Sequence, residues 1–193
     1  MKSFCVLNQK LNETTGRRIG SAVCAAMGKK IGVAHNADER SVLTASFLEK
    51  GIISSGGSAL MFGQCNESRV AFLTERYALS ACFYVSGDDY ITVCGADGKS
   101  VGAEDEKLIS DLASSELPCE ESGGTAYINS DSAYLSSIVE VCGNLEDVCA
   151  DIRCKNAELS ASVRSAFAFS GGSFFSKLKS FVWPNFPVNK KSL

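Results

Sequence analysis

The sequence contains no apolar run close to the roughly 20 residues that a helix needs to cross a bilayer. Its N-terminal stretch, "MKSFCVLNQKLNETTGRR", contains neither a long apolar segment nor a cleavage site, so secretion is not expected. The net charge is only -3 over 193 residues, which predicts no general surface for nucleic acid or another polyanion. We therefore expect a cytoplasmic protein with no nucleic-acid partner.

The sequence also lacks the ligand spacing of a metal site. Its nine cysteines are an odd number at irregular spacings with no C-x-x-C pair, and its one histidine, His35, is distant in sequence from Cys142, Cys149 and Cys154. Most cysteines lie within apolar patterns such as "SAVCAAM" and "ITVCG". Reduced core cysteines in a cytoplasm explain this usage, so neither a metal nor another cofactor is expected.

Positive charge is concentrated at the C-terminal end. Residues 171–193 contain four lysines and no acid, so this tail has a charge of +4 and residues 1–170 have a charge of -7. The tail includes "SFFSKLKSFVW", an amphipathic segment stopped by Pro184. We expect this segment to form a short helix that docks on its own domain or on a second copy of the chain. Attachment to a membrane surface is the less favoured alternative.

Residues 14–113 alternate between helical and strand patterns. Apolar residues at helical spacing predict helices over 15–27 and 40–54, and a third helix that Asn66 caps. The short apolar runs "KIGVA", "ALMFG" and "CFYVS" lie between and after these helices. This alternation favours parallel strands joined by right-handed crossovers, in an α/β protein built as a three-layer α/β/α sandwich.

A tight hairpin interrupts the alternation. The runs "CFYVS" and "YITVC" stand on either side of Gly87, Asp88 and Asp89. The Gly-Asp pair is a signal for a two-residue hairpin turn. "YITVC" is therefore predicted to be antiparallel to its neighbour, at the edge of a mixed sheet.

The remaining sequence is predicted to pack on this sheet. "TAYINS" (125–130) is a candidate last strand, residues 131–153 are predicted to form one or two amphipathic helices, and "AELSASVRSAFAFSGG" is weakly helical. The predicted organisation is an α/β domain over 1–118, an exit strand and helices over 119–170, and a basic amphipathic tail over 171–193.

The order of these segments resembles the first domain of the α-D-phosphohexomutases, a family of phosphoglucomutases, phosphomannomutases and phosphoglucosamine mutases. "GKKIGVAHNADERS" resembles the family's strand ending in a G-R-D-x-R-like turn, and "FLEKGIISSGGSALMFG" resembles its next helix and strand. "ITVCGADGKSVGAEDEKLI" is similar to the family's G-I-K-L-F-G-P-D-G segment and the acidic helix start after it. The resemblance extends over about residues 14–145 and implies the fold of that first domain.

The sequence departs from the family pattern at the segments that carry the family's catalytic residues. Family enzymes carry T-A-S-H-N-P after the third strand, and its serine holds the phosphoryl group that passes to and from the sugar. Here Ser86 falls on the family's threonine and Asp88 on its phosphoserine, and several following residues are missing. The N-terminal phosphate loop is replaced by "FCVLNQK", and no aspartate triplet is present to hold Mg²⁺. The resemblance therefore implies a degenerate, truncated first domain without mutase activity.

Two groups of residues remain as site candidates. Ser86, Asp88 and Asp89 occupy the degenerate loop without a neighbouring base, lysine or metal cluster, so a structural turn is favoured over catalysis. Arg40 and Ser41 could bind a phosphate group at a helix N-terminus. A capping and salt-bridging role for "DERS" is the favoured alternative.

Three kinds of function stay open. The absence of the phosphate loops favours a non-catalytic interaction or regulatory module. Such a module would contact a protein partner or a second copy through its uncovered domain face and residues 171–193. The alternatives are a sugar-phosphate-binding protein, or one component of a split phosphohexomutase that another chain completes.

Overall fold

The computed structural model describes residues 11–87, 90–115, 123–129, 131–142, 149–150, 157–169 and 173–174. The chain divides into two compact units, residues 1–137 and 138–193. The boundaries suggested by the sequence, after residues 118 and 170, stay predictions.

The first unit alternates helices and strands in the order that the hydrophobic patterns predict. The helices are α1 (Glu13–Met27), α2 (Glu39–Ser54), α3 (Glu67–Arg76), α4 (Ala103–Ser114) and α5 (Asp131–Cys142), the last of which spans the division between the units. The strands are β1 (Lys30–His35), β2 (Ser58–Gln64), β3 (Ala81–Ser86), β4 (Tyr90–Gly95) and β5 (Gly124–Tyr127).

Polar side chains determine where the helices begin. Asn12 Oδ1 accepts a hydrogen bond of 2.9 Å from Thr15 N at the start of α1. Asn66 Oδ1 accepts a bond of the same length from Arg69 N at the start of α3, which confirms the predicted cap. Each such cap stabilises a helix by about 1 kcal/mol, because it satisfies a backbone N–H that has no partner within the helix.

The five strands form one sheet in the order β4-β3-β1-β2-β5. Strands β3, β1, β2 and β5 are parallel, and β4 pairs antiparallel to β3 at one edge. The predicted mixed sheet and its antiparallel edge strand are confirmed. The last strand predicted over 125–130 is confirmed in part, because Gly124–Tyr127 forms the opposite edge and Ile128 and Asn129 lie beyond the strand.

Helices cover both faces of this sheet. On one face, α1, α2 and α4 pack on the sheet through Ile19, Leu48 and Ile109, all fully buried. On the other face, Val70 and Leu73 of α3 pack on the strands. Successive residues of each strand serve opposite faces, as their alternating side-chain directions require. The predicted three-layer α/β/α sandwich is confirmed.

In the second unit, the helix α6 (Ala157–Phe169) lies between two short strands, β6 (Cys149–Ala150) and β7 (Ser173–Phe174). The strands pair in parallel. The predicted helix is confirmed for α6. The prediction of helix is wrong for residues 149–150 and 173–174, which form β6 and β7. These two strands are more than 20 positions apart, and the local spacing of apolar residues carries no information about such a distant pairing. Residues 175–193, which include the rest of the predicted tail helix, lie outside the described residues.

Two further observations concern the expected environment. No helix among the described residues combines the length and the apolar character that crossing a bilayer requires. Cys24, Cys65, Cys82 and Cys94 are buried thiols, as predicted for core cysteines.

Candidate functional site

The chain reverses its direction across the sheet at β1. From β1 it moves through α2 to β2 on one side, and from β2 it returns through α3 to β3 on the other side of β1. In open α/β sheets, ligands bind in the crevice that such a reversal leaves outside the carboxyl ends of the strands. The crevice between β1 and β3 is therefore the candidate functional site.

Asn36 and Asp38 occupy this crevice from the β1 side. Asn36 N donates a 2.9 Å hydrogen bond to Val85 O of β3, and Asn36 Oδ1 accepts one of 3.0 Å from Asp38 N. A Cβ atom on Gly87 would lie 3.1 Å from Asp38 Oδ2 and 3.6 Å from Asn36 Nδ2. The two side chains thus lie against the backbone of the β3–β4 loop, and they place a carboxylate in the crevice.

The start of α2 forms one wall of the site. Asp38 caps this helix, because its Oδ1 accepts a 2.8 Å bond from Arg40 N. The Arg40 side chain is exposed and forms no ion pair within the part of the chain that the structure describes. Ser41 is only 1% exposed, and its Oγ has no hydrogen-bond partner among the described residues. The structure thus shows the capping expected of "DERS" but places Ser41 in the interior.

Ser86 ends β3 and pairs with Tyr90 of β4. This register leaves three residues in the loop, Gly87, Asp88 and Asp89, so the predicted two-residue turn is wrong. The pairing of β3 with β4 sets the loop length, and a three-residue hairpin loop is the next commonest type. Asp88 and Asp89 lie outside the described residues. Within the described residues, Ser86 Oγ makes no hydrogen bond to a histidine or a carboxylate.

The other nucleophiles and bases near this sheet have structural partners. His35 Nδ1 donates a 2.7 Å bond to the carbonyl oxygen of Asn36, which holds the imidazole at the end of β1. Burial raises the pKa of the Cys94 thiol to about 11 and raises the pKa of Cys82 well above its ordinary value. Both thiols therefore stay protonated near neutral pH and are poor nucleophiles.

No protein-family model matches the chain, and no curated protein matches it in sequence. Solved structures do match. A phosphoglucomutase/phosphomannomutase family protein from Burkholderia thailandensis superposes with a TM-score of 0.63 at 16% identity, over 88% of this chain. A protein named as a phosphomannomutase from Thermus thermophilus superposes with a TM-score of 0.64 at 13% identity, also over 88%. The chain has the fold of a phosphohexomutase domain.

The phosphohexomutase fold is thus confirmed, as the order of the sequence motifs implied. The chain spans about two fifths of each matched structure, 41% of the Burkholderia protein and 43% of the Thermus protein. Within this fold, Ser86 ends β3 and Tyr90 begins β4 at the crevice.

The sequence indicated Ser86 and the start of α2 as candidates with structural roles favoured, and both lie at the ends of β3 and β1 that border the crevice. It missed Asn36 and the contact of Asp38 with Gly87. A signal was present, since Asn36 and Asp38 directly follow a buried strand, where loop residues of parallel sheets meet. Their apposition to Gly87 depends on the order of the strands in the sheet.

Proposed function

We propose that the chain is a non-catalytic module with the phosphohexomutase fold, which acts by contacting another polypeptide rather than by isomerising sugar phosphates. The observation that carries this proposal is the contact of Asp38 and Asn36 with Gly87 at the β1–β3 crevice. These side chains occupy the place where a ligand of the fold would approach the loop, and the Asp38 carboxylate would repel a phosphate group.

Phosphoryl transfer needs an activated nucleophile and cationic groups that spread the charge of the transferred group. At the crevice, Ser86 Oγ makes no hydrogen bond to a histidine or a carboxylate among the described residues, and the negative charge of Asp38 would repel a phosphoryl group. The pKa values of Cys82 and Cys94 argue against a thiol as the alternative nucleophile. The geometry therefore supports contact better than catalysis.

Exposed apolar side chains near the crevice support the contact role. Val42 and Leu43 in the first two turns of α2 are 48% and 55% exposed, and Tyr90 at the start of β4 is 45% exposed. Both elements border the crevice, since Asp38 caps α2 and Tyr90 pairs with Ser86. Exposed apolar side chains that form a patch are typical of surfaces that bind other proteins, so we propose that these three contribute to one.

The test of catalysis is an isomerisation assay. The purified chain, glucose 1-phosphate, glucose 1,6-bisphosphate and Mg²⁺ should give no glucose 6-phosphate above the buffer background, whereas an active phosphoglucomutase gives it readily. Turnover that Ser86→Ala or Asp88→Asn abolishes would overturn the proposal. Amide NMR shifts at Asn36 and Gly87 on adding glucose 1-phosphate alone would instead favour the sugar-phosphate-binding alternative.

The test of contact uses the apolar edge. The variant Leu43→Glu should weaken self-association, measured by light scattering, or reduce recovery of a partner from an extract of the native organism. Leu108→Glu on α4 is the matched control, because Leu108 is 46% exposed on another helix. Equal effects of the two variants, or no effect of either, would contradict a contact surface at this edge.

A further inference from the structure

The two edges of the sheet differ in how their backbone groups are satisfied. At the β4 edge, the chain folds back along the strand that it has just formed. Gly95 N donates a 2.8 Å hydrogen bond to Lys99 O, and Val101 N then donates one of 3.1 Å to Val93 O. The chain itself therefore covers this edge, which is one way in which proteins prevent unwanted strand pairing.

The opposite edge, β5, has free backbone groups. Ile128 N donates a 2.9 Å hydrogen bond to Met61 O of β2, so Ile128 directs its backbone groups towards that strand. The backbone groups of successive residues in a strand point to opposite sides, so those of Thr125 and Tyr127 point away from β2. Within the part of the chain that the structure describes, these outward N–H and C=O groups have no hydrogen-bond partner.

The side chains of β5 are open as well. All four of its residues are exposed, which is unusual in a parallel sheet, and Tyr127 is 78% exposed. The hydroxyl groups of Thr125 and Tyr127 both donate to Glu49 Oε1 of α2, at 2.8 and 3.5 Å. These two side chains therefore lie on the α2 face of the strand, and Ala126 lies on the other face.

The β5 edge carries none of the features that keep edge strands apart. Its segment, "GGTAYIN" (123–129), contains no charged residue and no proline. The pairing of β5 with β2 has no register shift, so no bulge twists the edge away. Natural edge strands usually carry at least one of these features. Threonine and tyrosine also favour strands, so the edge suits pairing with another strand.

The spacing of the free groups fits a second copy of the same strand. In an antiparallel pair, two opposite residues whose backbone groups face each other exchange two hydrogen bonds. With a two-fold axis at Ala126, Thr125 of each copy lies opposite Tyr127 of the other, and every outward group of these residues is used. Tyr127 is then covered by a threonine on the same face, which is a favourable cross-strand pair. Such a self-complementary contact is the usual basis of two-fold dimers.

We propose that β5 pairs antiparallel with β5 of a second copy, about a two-fold axis at Ala126, so that two five-stranded sheets join into one. The pairing involves neither the β1–β3 crevice nor the exposed residues of α2 and β4, so it does not rest on the proposed function. The four-residue length of β5 limits the contact, since a stable interface buries about 1,600 Å². The dimer is therefore weak and forms only at high protein concentration.

The first experiment is sedimentation velocity of the full chain in reducing buffer, from about 10 µM to about 1 mM, a range that covers weak dissociation constants. The sedimentation coefficient should rise from that of a monomer to that of a dimer. The same series on Leu43→Glu removes association through the exposed apolar residues of α2. A dimer that persists in Leu43→Glu supports the β5 contact separately from the proposed function.

Variants of β5 locate the contact. Thr125→Pro removes an outward N–H from each copy and leaves the pairing with β2 intact, so it should weaken dimerisation at least about tenfold. Thr125→Val is the matched control, because it loses the same bond to Glu49 but keeps the N–H. Ala126→Lys changes an exposed side chain and places two like charges at the axis, so it decides the matter if Thr125→Pro fails to fold.

Crosslinking tests the antiparallel register. Residues that meet at the axis without exchanging hydrogen bonds have Cα atoms about 4.5 Å apart, a distance that a disulfide can span. Ala126→Cys treated with glutathione disulfide should therefore give a disulfide between two copies at position 126, read by non-reducing electrophoresis and peptide mass spectrometry. The wild-type chain, treated in parallel, is the control for its own cysteines.

The proposal fails if the chain stays monomeric over the whole concentration range. It also fails if folded Thr125→Pro and Ala126→Lys both dimerise as strongly as the wild type, or if Ala126→Cys forms no crosslink at position 126. Slow amide hydrogen exchange at Thr125 and Tyr127 in a monomer would likewise overturn it, because a segment of the same chain would then cover the edge.

Discussion

The packing of α1 on α2 can be tested at Gly51, where the two backbones touch. A Cβ atom on Gly51 would lie 2.1 Å from Arg17 O, 2.8 Å from Arg17 C and 2.9 Å from Arg17 Cα. All three are backbone atoms, so no side-chain rotation can relieve the overlap. Gly51→Ala must therefore move the helices apart by about 1 Å or more, and a gap of that size removes a quarter to a half of each dispersion contact at the interface.

Two opposing effects determine how Gly51→Ala changes the free energy of unfolding. Alanine favours the helix over glycine by about 1 kcal/mol, which would stabilise α2 if the site were open. Overpacking a well-filled core costs about 1–3 kcal/mol, and backbone contacts place this site at the upper end. The net destabilisation is thus about 2 kcal/mol, which corresponds to a fall of about 4–8 °C in melting temperature. The fully buried Ile19, Leu48 and Ile52 lose contacts in the process.

Scanning calorimetry with a urea titration measures both quantities. Gly20→Ala, whose Cβ would lie 2.3 Å from Leu48 O, should give a loss of similar size at the same interface. Gly124→Ala is the control, because a Cβ atom there meets nothing within 4 Å. A melting temperature for Gly51→Ala equal to or above that of the wild type would refute the reasoning, since helix propensity would then outweigh the overlap.

Three further changes have definite expected outcomes. Asp38→Ala should lower the free energy of unfolding in urea by about 1 kcal/mol through loss of the α2 cap, while Asp38→Asn should retain stability because asparagine caps equally well. Gly63→Ala should cost about 1 kcal/mol in the same measurement, because alanine is strained at a φ of +68°; an unchanged value would mean that this turn relaxes. Iodoacetamide at pH 8 should leave Cys82 and Cys94 unmodified in the folded chain and label them after denaturation, as read by peptide mass spectrometry, because burial raises both pKa values. Rapid labelling of the folded chain would contradict that burial.

The hairpin shows which features of a turn its residues predict and which they do not. "CFYVS" and "YITVC" were correctly predicted to be an antiparallel pair, since each run has β-rich apolar residues and the Gly-Asp pair marks a reversal. The length of the loop was wrong by one residue. Its length depends on the pairing of Ser86 with Tyr90, and that register is chosen by which side chains each strand must bury.

The burial of Arg69 is already indicated by its position in the sequence. Arg69 precedes Leu73 by four positions, so it lies on the buried face of α3. A charged residue on an apolar helical face is unusual and points either to a paired structural role or to a ligand. The sequence could not distinguish these roles, because the surroundings of Arg69 include Tyr127 of β5, about 60 positions later in the chain.

The sequence by itself determined the layered α/β architecture, the caps of α2 and α3, and the order of elements in the first unit. These features follow from short-range patterns, namely apolar spacing, capping residues and turn residues, which act within a few positions. The tertiary structure alone decided which strand ends meet. It placed Asp38 against Gly87, brought Tyr127 to Arg69 and paired Cys149 with Ser173, because each of these contacts joins segments that are distant in the chain and depends on strand order and register.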